Sequence, residues 1–248
     1  MTRTDAQLRA MLGPDATDAD DDAIGGWAQG YGIVVPDVAR YADVLRPMPD
    51  ALVLAMRNLA TDEGLAIIDA PSALAIALLA RTLRPRRVLE VGTGIGSLTL
   101  YLARAVPAEC LITSVESDPA LQERAHAFLE RDELHRCAVE LRLGDPLRVL
   151  REGAGSSDAQ VDLLVLSDAA APRMELYDML APRVAQGGLV VIPHALREGR
   201  VADPAASWGG DAQVDDQRML NRLVATDPRF EDVLLLPIGD GVLVACRS

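Results

Sequence analysis

Between residues 86 and 248 the apolar positions fall into two patterns. Short blocks rich in Val, Leu and Ile occur at 88–91, 111–115, 139–143, 161–166 and 189–192, each of strand length. Between them, at 97–105, 119–131, 146–151 and 172–185, apolar residues recur every three or four positions, as on one face of a helix. Strands apolar on both faces and separated by amphipathic helices predict a parallel sheet covered on both sides. A further helix at 214–225 precedes strands at 233–236 and 242–245. These two are joined by Ile238-Gly-Asp-Gly241, a link so tight that the last strand must run antiparallel to its neighbour.

Upstream, 38–60 is helical in pattern but broken at Arg46-Pro47-Met48-Pro49, because proline cannot continue a helix interior. Pro71-Ser72 opens a strongly apolar helix at 73–83, which stops before Pro85. The expected architecture is α/β: a doubly wound, Rossmann-like, seven-stranded and mostly parallel sheet with an antiparallel last strand, plus an N-terminal helical extension. Residues 38–248 form the folded domain. Residues 1–37 form an acidic, partly flexible extension, with a helical stretch at 5–12, a run of Asp15, Asp18, Asp20, Asp21 and Asp22, and two aromatics, Trp27 and Tyr31. The run is a solvated segment or, given those aromatics, an arm that covers a site.

Composition narrows the function classes. Aromatics make up 3% of the 248 residues, so Leu, Val and Ala must fill the core. With 24 basic against 37 acidic residues the net charge is −13, which repels nucleic acids, anionic membranes and polyanionic substrates. No basic-then-apolar leader and no long uncharged apolar run occur, so the expectation is a cytoplasmic protein. Every basic residue is arginine. Cys110, Cys137 and Cys246 lack CxxC spacing and read as structural thiols. His126 and His135 fall on or beside a surface helix and read as solvated.

The chemistry gathers where the strands end. Val88-Leu-Glu-Val-Gly92-Thr-Gly94-Ile-Gly96-Ser97 runs from a strand through a glycine-rich turn into a helix, so Gly92, Thr93, Gly94, Gly96 and Ser97 can cradle a ligand against backbone N–H groups. The spacing is GxGxG with Glu90 ahead of it, not the GxGxxG of dinucleotide sites, and it is similar to the first motif of S-adenosylmethionine-dependent methyltransferases. The second strand ends Val115-Glu116-Ser-Asp118-Pro119, which places Glu116 where a carboxylate accepts from ribose hydroxyls; Asp118 suits a helix cap. The third ends Leu143-Gly144-Asp145-Pro146, where Asp145 either accepts from an adenine amino group or caps the next helix.

From about residue 41 to 247 the chain resembles the catechol and caffeoyl-CoA O-methyltransferase family. The resemblance rests on these three motifs and on Val161-Asp-Leu-Leu-Val-Leu166, Gly187-Gly-Leu-Val-Val191 and Gly199-Arg-Val-Ala-Asp-Pro204. It extends to Asp227-Pro-Arg-Phe-Glu-Asp-Val233 and Leu236-Pro-Ile-Gly-Asp-Gly241. The resemblance implies S-adenosyl-L-methionine as cofactor, a small hydroxylated, phenol-like acceptor, and a homodimer. It also implies a divalent metal held by an Asp after the fourth strand and an Asp-Asn pair after the fifth, with a Lys as general base. Those positions fall here on Ser167, Pro193, His194 and Ala170, and a chain without lysine has no replacement base. The expectation is a metal-independent transferase with no metal ligands, in which Ser167 belongs to the cofactor pocket. His194 is then the general base, or only a loop histidine. Asp168 orients the acceptor, holds His194 or meets the cofactor, or is only a loop carboxylate. Ser97 substitutes for a displaced Ser as helix cap and carboxylate donor, with Ser72 a weaker candidate. The alternative function is a cofactor-binding protein that has lost catalysis and acts as a sensor or subunit. The stretch at 204–211, with Trp208, lines the acceptor pocket or is an exposed loop.

Overall fold

Seven of the apolar blocks pair into one sheet of order β3-β2-β1-β4-β5-β7-β6 in the computed structural model, which describes residues 44–152, 160–167, 172–203 and 211–248. The strands are β1 (Arg87–Val91), β2 (Leu111–Glu116), β3 (Ala138–Leu143), β4 (Val161–Leu166), β5 (Val184–Pro193), β6 (Phe230–Leu236) and β7 (Val242–Arg247). The first five are mutually parallel, and β7 runs antiparallel to both β5 and β6. This is the doubly wound order, with the reversal between β1 and β4 opening a crevice at the carboxyl edge.

Helices α1 (Ala51–Glu63), α2 (Ala70–Leu83), α3 (Ser97–Ala105), α4 (Pro119–Glu130), α5 (Pro146–Glu152), α6 (Arg173–Leu180) and α7 (Ala212–Thr226) cover the sheet. One face buries Leu89, Val91, Leu164 and Val190 against Val149, Leu176, Tyr177 and Leu220. The other buries Val88, Ile112, Leu163 and Val191 against Ile76, Leu98 and Leu102 of α2 and α3. Alternate residues of each central strand thus serve opposite layers, which is why these strands are apolar throughout. Met56, Leu100 and Phe128 join α1, α3 and α4 in a third cluster. Among the described residues no helix is long and apolar enough to cross a membrane.

Three elements depart from the sequence expectation. The helix expected at 172–185 ends at Leu180 and tightens into a 3₁₀ turn at Ala181–Arg183. Pro182 supplies no N–H to continue it, and Val184 instead pairs with Val161 to start a strand. That strand is longer than expected because Gly187, at φ 74°, bulges it before Leu189 regains pairing with Leu163. The helix α2 begins at Ala70, earlier than its apolar pattern, because Asp69 caps it through the Ser72 N–H at 2.8 Å. The extension at 1–37, its boundary at 38, and Trp27, Tyr31 and Trp208 lie outside the described residues.

Candidate active site

The loops that leave β1, β2, β3 and β4 are stitched together by backbone hydrogen bonds. Gly92 N–H donates to Val115 O (2.9 Å), Gly144 N–H to Glu116 O (2.8 Å) and Ser167 N–H to Val91 O (2.8 Å). These bonds bring Gly92–Gly96, Glu116, Gly144 and Ser167 to one edge, as the motifs predict. Gly92, Gly94 and Gly96 have φ of 95°, 55° and 84°. A Cβ on Gly96 would come within 3.1 Å of Ala125 Cβ, whereas one on Gly94 would meet nothing within 4 Å. Gly96 therefore serves packing against α4, while the space beside Gly94 is open to a ligand.

Glu116 holds this loop in place. Its Oε2 accepts from Gly94 N–H at 2.8 Å, and its Oε1 accepts from the N–H groups of Ser117 and Asp118, each at 2.9 Å. A carboxylate has about four lone-pair positions, so Oε2 keeps acceptor capacity on the crevice side. Asp118 caps α4 through Ala120 N–H. Asp145 is exposed, and its Oδ1 caps the next helix through Arg148 N–H at 2.8 Å, leaving Oδ2 unengaged.

Glu90 is fully buried. Its Oε2 accepts from Thr99 (2.6 Å) and Ser114 (2.7 Å), and Thr93 sits 2.6 Å from the Ser114 hydroxyl. Thr93 thus points into this network, and its side chain supports the site from below. Oε1 of Glu90 and Oγ of Ser167 are buried without partners. Burial pushes the Glu90 carboxyl up to about 7, against the pull of the Thr99 and Ser114 hydroxyls and with a further push from Glu116. The folded protein then keeps a proton that the unfolded chain loses near 4.5, so Glu90 costs stability increasingly as pH rises from there to about 7. Glu90→Gln is expected to flatten this slope. Urea unfolding of both proteins at about pH 5 and about pH 8 measures it, and identical slopes would refute the assignment.

Two serine expectations are corrected. Ser97 does not cap α3: Gly96 is the cap residue, with no side-chain bond, and Ser97 is the first helical residue. Ser72 is committed elsewhere, with its Oγ 2.7 Å from Asp69 Oδ2 and 3.1 Å from Ile238 O. A third correction concerns His135, which is half-buried with Nδ1 3.0 Å from Asp132, the carboxylate that also holds Arg104. His126 is exposed beside Glu130. Cys110 and Cys137 are buried free thiols, and burial pushes the Cys110 thiol up to about 12, which makes it inert.

His194 follows the last residue of β5 and has φ 56°, a conformation that costs a non-glycine residue about 1 kcal/mol or more. Its Nδ1 lies 3.1 Å from Asp240 Oδ2, in the link between β6 and β7. Asp240 also pins the turn: Oδ1 accepts from Glu198 N–H, and its carbonyl accepts from Leu196 N–H at 2.9 Å. With Nδ1–H directed at a carboxylate, Nε2 is left as the acceptor nitrogen. Sequence reasoning missed Asp240. Its only signal was a Gly-Asp-Gly turn, and nothing local ties that turn to a residue 46 positions earlier. Asp168, the other residue expected to act, lies outside the described residues. Among the described residues no group of three or more His, Cys, Asp or Glu side chains is arranged to hold a metal ion.

A family profile described as O-methyltransferase matches residues 55–248. A relative from Mycobacterium sp. (strain JLS) that bears an O-methyltransferase name is 32% identical over 200 residues, covering 80% of this chain and 87% of that one. The solved structure of a methyltransferase from Geobacter sulfurreducens superposes with a TM-score of 0.69 at 25% identity, covering 87% of this chain and 99% of that one. The Streptomyces achromogenes O-methyltransferase TomG, involved in tomaymycin synthesis and solved with S-adenosylmethionine, shares the fold with a TM-score of 0.72 at 24% identity, over 86% of this chain and 96% of that one.

Proposed function

The chain belongs to the O-methyltransferase family, and from that premise we propose that it methylates a hydroxyl of a small, phenol-like acceptor without a metal ion. The cofactor is S-adenosylmethionine, which when bound supplies an electrophilic methyl group on a sulfonium sulfur. The crevice fits it: open space beside Gly94, an unpartnered Oε1 on buried Glu90 for an ammonium group, and spare acceptor capacity on Glu116 for a ribose. Gly92, Gly96 and Gly144 shape the cradle, Thr93 braces it, Ser167 offers a free hydroxyl, and Asp145 keeps Oδ2 for an amino group.

The observation that carries the reaction is the His194–Asp240 pair at the tip of β5. Nε2 of His194 takes the acceptor hydroxyl's proton as that oxygen bonds the methyl carbon and the carbon–sulfur bond breaks, its electron pair leaving with sulfur as the neutral thioether of S-adenosylhomocysteine, and Asp240 stabilises the imidazolium that results. Ser167, Pro193 and His194 stand where the resemblance puts Mg²⁺ ligands. They do not supply the hard oxygens such an ion needs, so no step runs through a metal.

Calorimetric titration of S-adenosylhomocysteine, after chelator treatment and again with added Mg²⁺, tests the cofactor and metal parts together. Equal affinity is expected. A requirement for Mg²⁺ would refute metal independence, and no binding in either condition would refute the pocket. In the same assay Glu116→Ala is expected to weaken binding by about 1–3 kcal/mol, through the lost ribose contact and the loosened Gly94 loop. An unchanged dissociation constant would remove Glu116 from the site. Catalysis is tested by methyl transfer to a panel of phenols and catechols, and binding without transfer would favour a sensor. A homodimer and a cytoplasmic location complete the proposal, the first resting on the resemblance and decided by sedimentation equilibrium.

A further inference from the structure

We propose that Arg197 binds the carboxylate of the methyl acceptor, so that the acceptor is a small hydroxylated carboxylic acid; this rests on the methyltransferase reading above. Of four non-glycine residues with positive φ among the described residues, three lie in the turn after β5: His194 at 56°, Arg197 at 48° and Glu198 at 56°. Such backbone costs free energy and persists only where its surroundings enforce it. Here Asp240 and Gly241 enforce it through the N–H groups of Ala195, Leu196 and Glu198. Arg197 is therefore held in place three residues beyond the base.

Its guanidinium is left unsatisfied. Nε and Nη2 are both closed off from bulk water, and neither has a hydrogen-bond partner. Those two N–H groups point the same way along one edge of the guanidinium, the side-on fork that matches the two oxygens of a carboxylate. Leaving cationic donors desolvated and unpaired is expensive, and three nearby carboxylates are committed elsewhere. Asp240 serves His194 and Glu198, Asp211 serves Arg200, and Glu175 lies 2.6 Å from Arg151.

Arg197 lines a cavity of about 300 Å³ together with Pro172, Arg173, Met174, Glu175, Gln213 and Asp216. That volume suits a single-ring molecule. The walls come from the start of α6, just beyond the tip of β4, from the His194 turn and from the start of α7, so the cavity opens on the same sheet edge as the crevice. Pro172 and Met174 supply an apolar wall, Glu175 is paired with Arg151, and the unpaired edge of Arg197 favours an apolar ring with one anionic substituent. Asp216 is exposed, where water screens its opposing charge. With a net charge of −13 the molecule as a whole repels anions, and a dedicated unpaired arginine offsets that locally.

The test uses 4-hydroxybenzoate and its neutral analogue 4-hydroxybenzyl alcohol, titrated into wild type and Arg197→Gln with binding followed by ligand-observed NMR. Each titration is run with and without S-adenosylhomocysteine. Wild type is expected to bind the acid about tenfold more tightly than the alcohol. Arg197→Gln should erase that preference at unchanged melting temperature, and Arg197→Lys should restore it only in part. Failure of wild type to bind the acid, equal affinity for the two probes, or a preference that survives Arg197→Gln would overturn the proposal. Loss of S-adenosylhomocysteine binding with the acid preference intact would instead count against the methyltransferase reading.

Discussion

His194→Ala is expected to lower kcat for methyl transfer by about 10²- to 10⁴-fold, the range a well-placed general base contributes, while leaving S-adenosylhomocysteine affinity unchanged. The separation follows from where the residues stand. Glu90, Glu116 and the Gly92–Gly96 loop belong to β1 and β2, and they hold their conformation through bonds that do not involve His194. His194 sits two strands away in the sheet order, at the tip of β5, held by Asp240 at 3.1 Å. No lysine exists in the chain to substitute. A phenol is a weak nucleophile until its proton leaves, so loss of the acceptor nitrogen acts on the barrier more than on binding. Turnover with the phenol and catechol panel, alongside calorimetry, measures both quantities. A mutant rate within about twofold of wild type would exclude His194 as the base.

Gly239→Ala is expected to cost about 3 kcal/mol of stability, a large share of the 5–15 kcal/mol typical of a folded domain. Gly239 has φ 56°, and a Cβ there would be driven into the carboxylate of Asp69. Asp69 cannot simply move. Its Oδ1 caps α2 through Ser72 N–H at 2.8 Å, and its Oδ2 accepts from Asp240 N–H at 3.1 Å. Displacing it loses a helix cap and a hydrogen bond, each worth about 1 kcal/mol, and alanine at positive φ adds roughly 1 kcal/mol more. Gly64 provides the comparison: its φ is 65°, but a Cβ there would meet nothing within 4 Å. Gly64→Ala should therefore lower the melting temperature by only the conformational share, and Gly239→Ala by about three times as much. Equal shifts in the two variants would show that the contact with Asp69 is not what requires glycine. Because Asp69 also positions Asp240, Gly239→Ala should reduce turnover as well.

Most of the fold was legible because its determinants are local. The alternation of apolar blocks and helical patterns gave the strands in order, and the doubly wound connection follows from their parallel packing. The misplaced end of α6 shows the limit. Leu180-Ala181-Pro182-Arg183-Val184 carries helical spacing, yet Val184 is worth more paired with Val161 and buried in the sheet. Only the sheet can make that choice, and the same bulge at Gly187 lengthens β5 beyond its apolar block.

The site divides along the same line. By itself the sequence placed the residues proposed to hold the cofactor: Gly92–Gly96, Glu116, Gly144 and Asp145 stand at strand ends, and strand ends of a parallel sheet share one edge whatever the loops do. Helix capping by Asp118 was equally local and equally plain. On the proposed acceptor side the sequence offered His194, and tertiary structure alone supplied its partners. Asp240 faces His194 only because the β6–β7 link folds over the turn after β5, and that turn holds three positive-φ residues that no propensity would place there. Nε and Nη2 of Arg197 are left without an acceptor while Asp240, Asp211 and Glu175 are spent on other partners, a fact about three-dimensional pairing and not about residue order. Local periodicity and backbone preference act over a few residues, so they reach the strand tips. Side-chain pairing across a fold costs ordering entropy that only a finished core offsets, and there the sequence pattern stops being informative.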